Sequence, residues 1–363
     1  MQDKSFFDEI LGDKIFLFSF LLLAILGLFV QFSAGAQTVV SIESQGIKVL
    51  VALVAYSLIS RVRINQIKVI SPWLYLGAIL LLLLVMVVGV TINGATRWID
   101  LFFFRFQPSE LAKLALPMML AWYIDYRQFK LSIIDFSLIF LAIFLPASLI
   151  YQQPDFGTSM LVILSGLAIL FFVGIRWRFI FGLLFALLIA SPSIWQILEP
   201  YQRSRLLTFI NPSSDPLGAG YNIIQSQIAI GSGGLFGKGW LNGSQVQLEF
   251  LPEQSTDFIF AVIGEEFGLV GLLILLSLYF LMIGRCFVIS INANGTYSRI
   301  LSASITMFLF FAVFINIGMV IGILPVVGVP LPFISQGGTS MLTIMLALGI
   351  ITSIDRDRKV NLE

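Results

Sequence analysis

The chain has no histidine and a single cysteine, Cys286, and only 11% of its residues are charged. Each scarcity excludes something. Without histidine there is no imidazole base, no histidine-based zinc site and no Ser-His-Asp triad. One cysteine allows neither an internal disulfide nor a thiolate metal cluster. A net charge of +1 gives no case for nucleic-acid binding. The opening stretch MQDKSFFDEILGDK lacks the basic region of a cleaved signal peptide, so the first apolar run reads as a retained helix. GSGGLFGKGW is no phosphate-binding P-loop, because Lys238 is followed by Gly239 rather than Ser or Thr. There is no internal repeat and no low-complexity tract.

What is present in abundance is apolar surface. Of the 363 residues 58% are hydrophobic, 34 are Phe, and the mean hydropathy is +0.98. The fold class expected is an all-α polytopic membrane protein, a single membrane domain over 1–363. A spanning helix needs ~20 mostly apolar residues. Ten runs qualify, at about 15–34, 46–62, 69–91, 109–125, 131–151, 157–174, 179–198, 257–284, 300–323 and 338–354.

Lys and Arg favour cytoplasmic loops. With ten spans and the N-terminus inside, basic residues fall two to one on the inner side, among them Arg61, Arg63, Arg285, Arg356 and Arg358. Both termini are then cytoplasmic, and one long outer loop runs from about 199 to 256 between helices seven and eight. Within it, NIIQSQIAI mixes polar and apolar residues as a short interfacial helix would. GSGGLFGKGW reads as a flexible segment whose backbone can approach a ligand closely.

The same topology collects polar groups at the outer ends of four segments. GATRWIDLFFFRFQPSELAK brings Arg97 and, one turn into helix four, Glu110 and Lys113 on a shared face. QPDFGTS brings Asp155; STDF brings Asp257 at the head of helix eight; and LPVVGVPLPFISQGGTS, stiffened by Pro325, Pro330 and Pro332, brings Ser335. Each has a plain structural reading as well. Asp257 or Thr256 fits an N-cap, Asp155 a turn, Glu110–Lys113 a self-neutralising pair, and Arg97 an interfacial anchor. Intramembrane ionisable residues are nonetheless functional candidates, and convergence from distant segments favours a site. Glu265, eight residues beyond Asp257 and ~12 Å deeper, reads as structural, holding helices together.

These stretches also carry a resemblance. GATRWIDL, RFQPSELAK, QPDFGTS, DPLGAGYNIIQSQIAIGSGGLFGKGW, QLEFLPEQSTDFIFAVIGEEFGLVG, GILPVVGVPLPFISQGGTS and the closing DRDRK stand in order over roughly residues 90–360. Together they resemble the SEDS family (shape, elongation, division and sporulation), its rod-shape branch more than its division branch. The pair before TDF, Gln254–Ser255, departs from the basic or imidazole residue of many relatives.

The resemblance implies a peptidoglycan glycosyltransferase at the outer face of a bacterial cytoplasmic (inner) membrane. It would polymerise lipid II, a disaccharide-pentapeptide on undecaprenyl pyrophosphate, beside a class B penicillin-binding protein and the elongation machinery. Asp257 matches the family's essential aspartate. With no histidine available, a carboxylate is the natural base for the acceptor hydroxyl. Arg97, Lys113 and Lys238 are the outer cations expected at the leaving pyrophosphate, with Arg203 and Arg205 as weaker candidates. Glu110 would orient Lys113, and Asp155 with Asp257 could hold a divalent cation, Mg2+ or Mn2+, with no organic cofactor implied. The rival reading is a lipid II flippase. Flipping needs ligand groups near the midplane, whereas these charges gather at outer helix mouths.

Overall fold

The computed structural model describes residues 13–35, 39–92, 94–100, 105–128, 131–174, 198–212, 218–248 and 250–360, with single positions or pairs between 182 and 196. The chain runs α1 (Lys14–Ala34), α2 (Val39–Ile59), α3 (Ile64–Val88), β1 (Val90–Ile92), β2 (Ala95–Asp100), β3 (Arg105–Phe106), α4 (Pro108–Tyr126), α5 (Ile133–Gln152), α6 (Phe156–Phe172), α7 (Pro200–Ile210), α8 (Ala219–Ser232), α9 (Ser244–Gln247), α10 (Ile259–Ile291), α11 (Thr296–Val320) and α12 (Gly338–Val360). Six of these helices are long and apolar enough to cross a membrane: α1, α3, α5, α10, α11 and α12. The protein is therefore a multi-pass membrane protein. The span expected at 179–198 lies largely outside the described residues.

Local chemistry sets the helix ends. Asp13 caps α1 by accepting from the Phe16 amide at 2.9 Å. Pro108 opens α4 at a position where a missing N–H costs nothing. Ser132 and Asp135 form a capping box at the start of α5. Helix α11 is the hub of the bundle, packing against α4, α6, α10 and α12. Lipid gives little hydrophobic drive between helices, so polar contacts and close packing matter more. Tyr56 on α2 meets Thr352 on α12 at 2.9 Å, and Ser71 on α3 meets Tyr297 on α11 at 2.8 Å.

Two features depart from the sequence expectation. The helix expected to reach residue 91 stops at Val88, and the chain turns into a three-stranded antiparallel sheet, β1-β2-β3. Val90 pairs with Trp98, Ile92 with Ala95, and Ile99 with Phe106. The β-branched and aromatic residues of VTI and TRWI suit a pleated ribbon, and the hydropathy of the preceding run hid the change of period. The segment 199–256, expected as one long outer loop, also carries three helices, the middle one of which, α8, contains NIIQSQIAI.

The second departure is inside α10. Gly268 has φ +63°, which interrupts the helix. The segment 234–239 lies across the break. Its Lys238 and Gly239 amides donate to the Glu265 and Glu266 carbonyls, each at 3.0 Å. In return the Leu269 and Val270 amides donate to the Gly234 and Leu235 carbonyls at 3.0 and 3.1 Å. Two carbonyls and two amides at the break are thus satisfied by the docked segment, as lipid surroundings require. The glycines of GSGGLFGKGW let the backbone approach α10 itself; the expectation of a flexible segment is corrected accordingly.

Candidate functional site

Asp257 stands two residues before the first turn of α10. It is not a cap: Phe258 occupies the N-cap position, and no side chain caps this helix. Among the described residues no donor hydrogen-bonds to the Asp257 carboxylate, which is half-buried. Burial pushes its pKa up to about 6, aided by repulsion from Glu253 and Asp155 and opposed by Arg205 and Arg97. That field joins the turn before α10, the head of α6, α7 and β2.

The other expected residues fall into three groups. Arg97 and Asp155 belong to this mouth. Arg97 Nε donates to the Gln153 carbonyl at 3.3 Å, a second guanidinium nitrogen donates to the Pro154 carbonyl, and Nη1 lies 3.9 Å from Asp155 Oδ1. Asp155 caps α6 by accepting from the Thr158 amide at 3.2 Å, and takes a bond from Gln107 Nε2 at 3.3 Å. The residue expected as a turn former is thus an N-cap, and its charge also acts on Asp257. Arg205 on α7 joins them, anchored by Nη1 on the Val326 carbonyl at 3.0 Å.

Glu110 and Lys113 form a separate pair, both buried, with Nζ 2.6 Å from Oε1 and 5.9 Å from the centre of the Phe308 ring on α11. Glu110 Oε2 and the neighbouring Ser109 Oγ, both buried, have no hydrogen-bond partner among the described residues. This pair keeps polar capacity in reserve beneath the mouth.

Lys238 lies elsewhere. Its ammonium is 2.7 Å from both Glu265 Oε1 and Ser244 Oγ. Glu265 also accepts from Ser244 Oγ and from the Gln245 and Val246 amides. Glu266 accepts from Ser33 Oγ and from the Leu241 amide. Both carboxylates are fully buried: Glu265 ties the start of α9 and Lys238 to α10, the structural role expected of it, and Glu266 ties α10 to Leu241 and to Ser33 of α1. Ser335 is engaged on both sides: its hydroxyl donates to the Thr256 carbonyl at 2.5 Å and accepts from the Leu331 amide at 2.8 Å.

The loop between α11 and α12 passes close over the carboxylate. Gly328 has φ +73°, and a Cβ there would sit 3.3 Å from Asp257 Oδ2. A Cβ on Gly157 of α6 would meet the Val327 carbonyl at 2.2 Å, so only glycine lets this loop seat on the head of α6. Beside Phe156 an apolar recess of about 330 Å³ is lined by Tyr151, Met160, Ile163, Leu164 and Leu198. A second recess shares Phe156 and Leu198 and reaches Arg205 and Val326.

Among the described residues no group of three or more Asp, Glu, His or Cys gathers to hold a metal. Asp155 repels the Asp257 carboxylate, and a cation between them would relieve that repulsion. Magnesium takes only one or two carboxylates when substrate phosphates complete its shell.

Comparison with known proteins bears on this mouth. Residues 13–360 match the model of the FtsW/RodA/SpoVE family, described as cell cycle proteins. The chain belongs to that family. It is 46% identical over 359 residues to the peptidoglycan glycosyltransferase MrdB of Escherichia coli K12, spanning 98% of this chain and 97% of that one. It is 41% identical over 303 residues to the probable peptidoglycan glycosyltransferase FtsW of Coxiella burnetii, 81% of each. Among solved structures it superposes on RodA of Thermus thermophilus with a TM-score of 0.73 at 30% identity, covering 96% and 97% of the two chains. A chain of a peptidoglycan synthase complex, solved for the coordination of polymerization and crosslinking, gives a TM-score of 0.84 at 31% identity, covering 96% and 98%.

Proposed function

We propose that this member of the FtsW/RodA/SpoVE family is a peptidoglycan glycosyltransferase of cell-wall synthesis, with Asp257 as its general base. The relatives' activity supports the reaction class. The observation that carries the base assignment is the Asp257 carboxylate itself: half-buried, spared from capping, and shifted toward neutrality at the mouth of an apolar bundle.

In this reading the acceptor sugar hydroxyl gives its proton to Asp257 as its oxygen attacks the anomeric carbon of lipid II. The bond to the pyrophosphate breaks, and undecaprenyl pyrophosphate leaves with the electron pair. A single displacement inverts an α-linked donor to a β-linked glycan. Arg205 and Arg97 face the leaving pyrophosphate, with Lys113, steadied by Glu110, below them. A divalent cation held by Asp155 and Asp257 would add charge neutralisation at the same place. The apolar recess beginning at Phe156, directly after Asp155, suits the start of a prenyl tail. The mouth is extracytoplasmic, since the opposite end of the bundle carries Lys68, Arg127, Arg285, Arg356, Arg358 and Lys359. The membrane is then the bacterial inner membrane, crossed ten times with both termini inside. A class B penicillin-binding protein is the partner suggested by the synthase-complex relative.

The test is glycan-chain formation from labelled lipid II by purified protein, with and without the partner, beside a lipid II translocation assay. Polymer is expected; translocation without polymer under both conditions would favour the flippase. Orientation is checked in a Cys286→Ser background with a cysteine at exposed Asn242 or Asn294. Asn242→Cys should react with an impermeant thiol reagent in spheroplasts and Asn294→Cys should not; the reverse pattern overturns the topology.

A further inference from the structure

Asp257 is held by something no hydropathy plot shows. The carbonyls of Ser255, Thr256 and Asp257 are each bound by a different side chain, and each of these also binds the loop between α11 and α12. Gln31 of α1 donates through Nε2 to the Ser255 and Ile334 carbonyls, both at 2.8 Å. Ser335 joins the Thr256 carbonyl to the Leu331 amide. Asn316 of α11 donates through Nδ2 to the Asp257 carbonyl at 3.0 Å and to the Val329 carbonyl at 2.8 Å.

Asn316 is fully buried. Both of its neighbours are carbonyl acceptors, so only the NH2 end of the amide can face them. Its two donors are spent on these two carbonyls, and its Oδ1 has no partner among the described residues. The residues it joins are the candidate base and the loop whose Gly328 runs over that base's Oδ2. The tie therefore fixes the backbone of Asp257 relative to both the most buried part of the bundle and the lid of backbone above the carboxylate. A bridge of two good hydrogen bonds, shielded from water, is a rigid support for a reacting group.

From this bridge we infer that Asn316 is a positioning residue for Asp257 in the polymerisation reaction. It touches neither substrate nor reacting atoms; it sets where the carboxylate stands. The inference rests on Asp257 being the base, and the experiment separates the two.

Turnover at saturating lipid II and KM are measured for the complex with its partner synthase, alongside melting temperature, in Asn316→Leu, Asn316→Thr, Asp257→Asn and, as a distant polar control, Tyr56→Phe. Asn316→Leu removes both donors; Asn316→Thr leaves one hydroxyl donor. Misplacement of a reacting group by about 1 Å costs up to ~10²-fold. Asn316→Leu is expected to lower turnover by ~10- to 100-fold with KM within about threefold, Asn316→Thr to fall between it and the unaltered protein, and Tyr56→Phe to keep its rate. Wild-type turnover in Asn316→Leu per folded complex, or a loss confined to KM or melting temperature, overturns the inference. So does failure of both Asn316 variants to accumulate, which would give Asn316 a folding role alone. If Asp257→Asn retains full turnover, the assignment of the base itself fails, whatever Asn316 does.

Discussion

Two carboxylate neighbourhoods, eight residues apart in one stretch of chain, are built in opposite ways. Glu265 is fully buried and surrounded by donors: an ammonium, a hydroxyl and backbone amides. Asp257 is half-buried, is met by no donor among the described residues, and faces two carboxylates and two guanidinium groups. Donors aimed at a carboxylate stabilise its charge and occupy its lone pairs. A carboxylate so satisfied is a fastener. One whose backbone is bound on every side while its oxygens stay free is suited to take a proton. The difference separates structural from chemical acids more sharply than burial or position along the helix does.

The largest effect expected from breaking this contrast comes from Asp257→Asn. The change keeps the size and removes the base, and should lower the polymerisation rate ~10²–10⁴-fold. Its melting temperature should be unchanged or higher. Folding raises the Asp257 pKa from its ordinary 3.8 to about 6. The folded state therefore binds this proton more tightly, and the associated stability is complete below pH 3.8 and lost as pH rises through about 6. At neutral pH the charge is a burden that asparagine lacks. A drop in both rate and melting temperature would recast Asp257 as a fastener like Glu265.

The same shift sharpens the contrast without mutation. Rate should rise with pH, close to tenfold per unit below about 6, and flatten above it, as the base loses its proton. A rate flat from pH 5 to 8 would count against Asp257 as the group that titrates.

Glu265→Gln should invert the outcome. It leaves Lys238 and loop amides without their charged acceptor, at a cost of roughly 1–3 kcal/mol, more if the ammonium stays buried. The readout is a lower melting temperature and faster proteolysis near residue 240, with the rate per folded molecule within a few-fold of normal. Catalytic collapse with unaltered stability would break the comparison from the other side.

Gly328→Ala should have the smallest effect. A left-handed φ makes alanine cost about 1 kcal/mol, and its Cβ would press on Asp257 Oδ2. A several-fold loss of rate with a small loss of stability is expected; no change in rate would show that the loop over the carboxylate gives way freely.

By itself the sequence determined the class of molecule, most of the described spanning helices and the family. Apolar runs near 20 residues have few solutions other than spanning helices, and the motifs from GATRWIDL to ISQGGTS are local strings. It also marked Asp257, because a charge at the head of an apolar run is conspicuous. The start of the sheet after α3 was hidden because its first strand, VTI, is as apolar as the helix before it. The destiny of Lys238 was not legible either. Sequence places it among outer cations, and only the break at Gly268 and the docking of the loop pair it with Glu265. Gln31 and Asn316 left one faint signal, a lone amide in LFVQFSA and in VFINIGM. Their partners are hundreds of residues away for Gln31 and in two separate segments for Asn316. Tertiary structure alone decided which carboxylate would be satisfied and which left open. Hydrogen-bond satisfaction depends on which distant donors arrive within 3 Å, and hydropathy carries no record of that.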